Sequence, residues 1–191
     1  VTGKKVDCTG LVLAGGQSTR MGVDKSQLCR DQSTMLEFSR GLLTSLGLPV
    51  CVSGGPGGIP DRVPQSGPLG GIYSALSTLQ THALLIVPID MPLLTAPLLR
   101  QLLETGRRLG EPVCYEDCYL PFYLPVSATL VDYLERVFSP DSDMPRSVKK
   151  LLSALNGREL PVDDRRSLMN ANTPEEWRRA LALLGAAGGQ Q

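Results

Sequence analysis

The chain has 191 residues, 42% of them hydrophobic and 20% charged, and its 19 basic and 19 acidic side chains cancel to a formal net charge of zero. That is the size and composition of one globular domain. The charge balance excludes broad electrostatic capture of nucleic acid or of an anionic membrane, so any phosphate binding has to be local. Cys8, Cys29, Cys51, Cys114 and Cys118 are odd in number and lack Cys-x2-Cys spacing, which argues for reduced thiols rather than a disulfide framework or a zinc site. No segment approaches the ~20 apolar residues of a membrane span and no signal-peptide pattern opens the chain, so a cytosolic protein is expected.

In chain order, the apolar tetrad Leu11–Ala14 reads as a buried central strand ending at Gly15-Gly16. Thr34-Met-Leu-Glu37 has the form of a capping box opening a helix to about Leu46, with Leu36, Leu43 and Leu46 on its buried face. Pro49 to Ser53 reads as a second strand, followed by a Gly54–Gly58 loop, a connection containing Asp61, and a Gly67-Pro-Leu-Gly-Gly71 turn before a helix from about Ile72 to Gln80. Ala83 to Ile89 is the clearest buried strand and ends in Asp90-Met-Pro92. Thr95 is placed to cap the next helix, with Pro97 in its first turn. Strands are expected at Pro112–Tyr115 and Tyr119–Leu124, their order in the sheet left open, and helices at about Ala128–Phe138, Arg146–Asn156 and Pro174–Leu184. The alternation implies an α/β fold, a three-layer α/β/α sandwich on a Rossmann-like, mostly parallel sheet, with residues 1–191 as one domain.

The first strand end carries the most chemistry. Gly15-Gly16 lets the backbone turn sharply with N–H groups toward an anion, and Arg20 and Lys25 add positive charge. The two common phosphate loops are excluded: Gly16 follows Gly15 directly, which rules out Gly-x-Gly-x-x-Gly, and no Gly-x4-Gly-Lys-Ser/Thr exists because five residues separate Gly16 from Gly22. In open parallel sheets ligands sit beyond the carboxyl ends of strands, so the Gly54 loop, Asp61, the Gly67 turn and Asp90 belong with this loop. Basic groups and backbone donors suit a polyphosphate, and a strand-end carboxylate suits a magnesium ion also ligated by phosphate oxygens and water. Thr173, Pro174 and Glu176 are explained by helix capping alone, which leaves Asn170 and Asn172 to be explained.

Leu13-Ala-Gly-Gly-Gln-Ser-Thr-Arg-Met-Gly-Val-Asp-Lys25, Gly67-Pro-Leu-Gly-Gly-Ile72, Pro88-Ile-Asp-Met-Pro92 and Asn170-Ala-Asn-Thr-Pro-Glu175 together resemble the molybdenum cofactor guanylyltransferase (MobA) family of the nucleotidyltransferase superfamily, over essentially the whole chain. The resemblance implies a nucleotide-diphospho-sugar transferase type of fold, with a nucleotide-binding half over about 7–110 and an acceptor-binding half over about 111–184. It implies transfer of GMP from GTP to the phosphate of molybdenum-molybdopterin, with Mg2+ as cofactor and molybdoenzyme maturation proteins as possible partners. By carry-over, Leu13, Ala14, Gly15 and Gly16 contact the nucleotide, as does Gly67. Lys25 binds its phosphates, Asp61 takes the nucleotide-binding aspartate position, and Asp90 holds magnesium. Arg20, Lys25 and Asp90 are the catalytic candidates; Arg146, Asn170 and Asn172 fall on the acceptor side.

Three departures from the family pattern stand out. Ser53-Gly-Gly-Pro56 replaces an Asn-x-Asn-Arg found in many relatives, Leu120 replaces a histidine before Pro121, and the basic run before the penultimate helix is reduced to Arg146-Ser147, with Lys149 and Lys150 following. Two alternatives follow: a CTP-dependent enzyme acting on the same pterin or another small phosphorylated acceptor, and a non-catalytic nucleotide-binding partner in molybdoenzyme maturation. The lone His82 is a bystander in either case, because an ionised phosphate nucleophile needs no strong general base.

Overall fold

A strand buried on both faces needs an uninterrupted apolar run, and two such runs lie in the interior of the sheet. The computed structural model describes residues 5–15, 28–30, 32–55 and 57–188. Its elements are β1 (Thr9–Leu13), β2 (Cys29–Arg30), β3 (Ser33–Thr34), α1 (Met35–Ser45), β4 (Val50–Ser53), α2 (Gly67–Leu76), β5 (Ala83–Pro88), α3 (Ala96–Leu109), β6 (Val113–Tyr115), β7 (Cys118–Pro125), α4 (Ala128–Val137), α5 (Val148–Ala154), β8 (Arg158–Leu160), a 3₁₀ turn at Arg165–Leu168 and α6 (Pro174–Gly188). Every residue of β1 and β5 is buried.

Six strands form one sheet in the order β4-β1-β5-β7-β6-β8, and β2 pairs with β3 in a separate ribbon. β1 runs parallel to β4 and β5, and β6 parallel to β8, while β7 runs antiparallel to both of its neighbours. One face of the sheet packs Val12 and Leu85 against Leu43 of α1, Leu99 and Leu103 of α3, and Trp177 of α6. The other packs Leu11 and Leu84 against Ile72 of α2, Leu134 of α4 and Leu151 of α5. The architecture is therefore the expected three-layer, mostly parallel sandwich. The chain leaves β1 through α1 to β4 on one side and returns through α2 to β5 on the other, which makes the carboxyl end of β1 the topological switch point.

The spacing predicts a helix from about Ile72, but α2 begins at Gly67. Pro68 fits the first turn, and the paired glycines serve packing: a Cβ on Gly71 would lie 2.9 Å from Leu13 Cδ2 and 2.9 Å from Ser53 Oγ, so only glycine lets α2 rest on the ends of β1 and β4. Two capping boxes form as expected. The Glu37 N–H donates to Thr34 Oγ1 at 3.2 Å while the Thr34 N–H donates to the Glu37 carboxylate at 2.8 Å, and Thr173 and Glu176 repeat the arrangement at α6. Thr95 precedes α3 but its side chain makes no cap hydrogen bond. α5 starts after Ser147, whose hydroxyl accepts from the Lys150 N–H, so Arg146 lies in the connection before the helix and not within it.

Candidate active site

A cleft of about 510 Å³ opens at the switch point, within the range of small-molecule sites. Its floor is backbone. The Ala14 N–H donates to the Ser53 carbonyl at 2.9 Å and the Ile89 N–H donates to the Leu13 carbonyl at 3.2 Å, so the ends of β4, β1 and β5 stay hydrogen-bonded as the chain leaves the sheet. Beyond β4 the loop folds back, the Gly54 N–H donating to the Ile59 carbonyl and the Ile59 N–H to the Val52 carbonyl. Gly54 has φ of 75°, and a Cβ there would stand 2.5 Å from Gly15 Cα, so two glycines meet backbone to backbone.

Side chains enter from three directions. Asp61 is exposed on the loop after β4, with Oδ2 3.6 Å from where a Cβ on Gly15 would stand. Gln65, Ser66, Gly67 and Pro68 bring the head of α2 to the cleft, and Ser53 Oγ donates to the Gly71 carbonyl at 3.2 Å, tying β4 to that helix. On the other side Asp90 follows β5, and its carbonyl accepts the Ala171 N–H at 2.8 Å. That bond holds Asn170 in the cleft beside Asp90, although the two are 80 positions apart in sequence. Leu120 of β7 completes the lining, and Cys118 donates its S–H to the Leu120 carbonyl at 2.9 Å.

Of the residues singled out from sequence, Leu13, Ala14, Gly15, Asp61, Gly67, Asp90 and Asn170 converge on this cleft. Gly16, Arg20 and Lys25 lie outside the described residues. Arg146 and Asn172 do not line it: Arg146 reaches it only by donating to Ser66 Oγ at 3.0 Å, and the Asn172 backbone N–H donates to the Glu176 carboxylate at 2.7 Å. His82 precedes β5, at the end of that strand opposite the cleft. Gln65 and Ser66 were not foreseen. A serine before Gly-Pro is a helix-start signal that could have found Ser66, whereas the positive φ of Gln65 (56°) has no signature in a glutamine.

The two carboxylates lining the cleft, Asp61 and Asp90, are accompanied there by no cysteine or histidine, and no group of three or more metal-ligating side chains exists among the described residues. One or two carboxylates with room for phosphate oxygens and water match magnesium, which rarely sits in an all-protein cage; they do not match zinc. None of the five cysteines, all among the described residues, forms a disulfide, and burial pushes the thiols of Cys8 and Cys114 up to about 12, as expected of inert, packed side chains.

Residues 10–157 match the family model described as the MobA-like NTP transferase domain. The chain belongs to that family. Among curated MobA-like relatives, the molybdenum cofactor guanylyltransferase of Xanthomonas euvesicatoria pv. vesicatoria is 38% identical over 91% of this chain and 94% of its own. A solved structure of the molybdopterin-guanine dinucleotide biosynthesis protein A of Archaeoglobus fulgidus superposes with a TM-score of 0.65 at 20% identity, covering 93% of this chain and 99% of that one. The Mycobacterium tuberculosis protein Rv0371C, solved in complex with manganese, gives a TM-score of 0.60 at 21% identity over 93% and 99%. At these identities the two structures speak for the fold, which is the nucleotide-diphospho-sugar transferase type. The MobA-like match also makes the chain a nucleotidyltransferase.

Proposed function

We propose that this nucleotidyltransferase transfers GMP from GTP to the phosphate of molybdenum-molybdopterin, forming the guanine dinucleotide cofactor and releasing pyrophosphate. The observation that carries the reading is the convergence of the Leu13–Gly15 backbone, Asp61, Asp90 and Asn170 on one cleft at the switch point. The name of the Xanthomonas relative supports the same substrates.

An acceptor phosphate oxygen attacks the α-phosphorus of GTP, the new P–O bond forming as the bond to the β-phosphate bridge breaks and its electron pair leaves with pyrophosphate. The attacking phosphate is already ionised near neutral pH, so the protein supplies position and charge and needs no covalent nucleophile. Backbone N–H groups after β1, with Lys25 and Arg20, stabilise the triphosphate and the charge that develops on its oxygens. Asp61 stands over the side-chain-free surface of Gly15, where an acceptor-only carboxylate suits the paired N1–H and N2–H donors of guanine; cytosine offers a single amino group. Asp90 would hold Mg2+. The ion, when bound, neutralises phosphate charge. Asn170, with Asn172 and Arg146 at the margin, faces the acceptor, and the product passes to maturation proteins in the cytoplasm.

Titration of the purified protein with GTP, CTP and ATP in Mg2+ tests the nucleotide assignment. GTP binds most tightly on this reading, and tighter CTP binding would overturn it.

A further inference from the structure

Four side chains from separate segments form a continuous stack beside the cleft. The Arg62 guanidinium lies 4.9 Å from the centroid of the Tyr73 ring, Tyr73 of α2 stacks on Phe138 with centroids 4.6 Å apart and planes 13° from parallel, and the Arg146 guanidinium lies 5.3 Å from Phe138. Two cations thus cover the π-faces of an aromatic pair, the faces that carry negative potential. Among the described residues neither arginine forms an ion pair with a carboxylate.

Both ends of the stack reach the nucleotide side of the cleft. Arg62 follows Asp61 directly, and its backbone N–H donates to Ser74 Oγ of α2 at 2.9 Å. Arg146 donates to Ser66 Oγ, and Ser66 is a buried residue of the cleft lining at the head of α2. Between these anchors residues 61–66 form no helix or strand and include the positive φ of Gln65. The Arg62 N–H bond to Ser74 ties the segment's backbone to α2 at one point. The stack adds a side-chain restraint, gripping the segment at position 62 from one end and at position 66 from the other.

We propose that Arg62, Tyr73, Phe138 and Arg146 are positioning residues: together they clamp the 61–66 segment so that Asp61 and the head of α2 present a fixed surface to the nucleotide base. The proposal rests on the guanylyl-transfer reading. It also gives Arg146 an effect on the nucleotide through Ser66, whatever it does for the acceptor, and it makes the connection between α4 and α5 part of the nucleotide site without touching the nucleotide.

The test uses the full chain carrying Phe138→Leu or Arg62→Gln, with GTP binding by calorimetry in Mg2+ and steady-state rates. Each variant is expected to weaken GTP binding and raise its KM about three- to tenfold, with kcat and the acceptor KM changed less than about twofold, and Phe138→Tyr to restore the wild-type values. If Phe138→Leu lowers the melting temperature, the exposed Arg62→Gln decides. Wild-type GTP affinity in the variants, or a KM increase confined to the acceptor, would overturn the clamp alone. Failure of the wild-type protein to bind GTP would overturn the guanylyl reading and the clamp with it.

Discussion

The side of the cleft formed by the ends of β1 and β4 is made of backbone, with Gly54 pressed against Gly15, whereas the side formed by β5 and β7 is made of side chains, Asp90, Leu120 and Asn170, gathered from distant parts of the chain. A backbone surface offers donors common to every triphosphate, and at Gly54 it leaves no room for a Cβ. A side-chain surface can change what it recognises while the fold stays the same. The departures from the family pattern fall on both sides: the one that begins at Ser53 lies at the end of β4, on the backbone side, and Leu120 lies on the side-chain side.

The contrast breaks most sharply at Asp90. Asp90→Ala is expected to lower kcat by about 10²- to 10³-fold, measured as pyrophosphate release, with the melting curve close to wild type. Gly54→Ala should do the reverse. Its φ of 75° and a Cβ 2.5 Å from Gly15 Cα make it cost about 2–3 kcal/mol of stability in a urea titration, and nucleotide affinity falls because the Gly15 backbone has to move. Asn170→Ala sharpens the other side: the acceptor KM rises about tenfold while GTP affinity is unchanged. The smallest effect lies away from the cleft, at Glu37. Hydrogen bonds from the Thr34 backbone N–H and then its hydroxyl hold the Glu37 carboxyl below its usual 4.5. The charged form therefore favours the fold, so its stabilisation is complete above about pH 4.5 and is lost as pH falls through the lowered value. Glu37→Gln should flatten that acid dependence in thermal melts and leave activity untouched.

Features that depend on local pattern were legible in the sequence. The apolar runs of β1 and β5 announced burial on both faces, Thr34 and Glu37 announced a cap, and the strand-end rule grouped Gly15, Asp61 and Asp90, which line one cleft. Features set by approach between segments were not. Gly70-Gly71 read as a turn because glycine signals flexibility and close packing alike; only the nearness of Leu13 and Ser53 distinguishes the two. An apolar run reports burial and not direction, so the antiparallel course of β7 was open. β2, β3 and β8 are two or three residues long, too short for a period to show. The stack from Arg62 to Arg146 draws single residues from four segments and has no spacing to reveal it.

The most direct measurement is a single reaction: the purified chain with GTP, Mg2+ and molybdenum-loaded molybdopterin, with the pterin product and the pyrophosphate both quantified. Guanylyl transfer predicts the guanine dinucleotide form of the pterin and pyrophosphate in equal amounts, both lost in Asp90→Ala. GTP bound with no pyrophosphate released, or a dinucleotide formed preferentially from CTP, would contradict it.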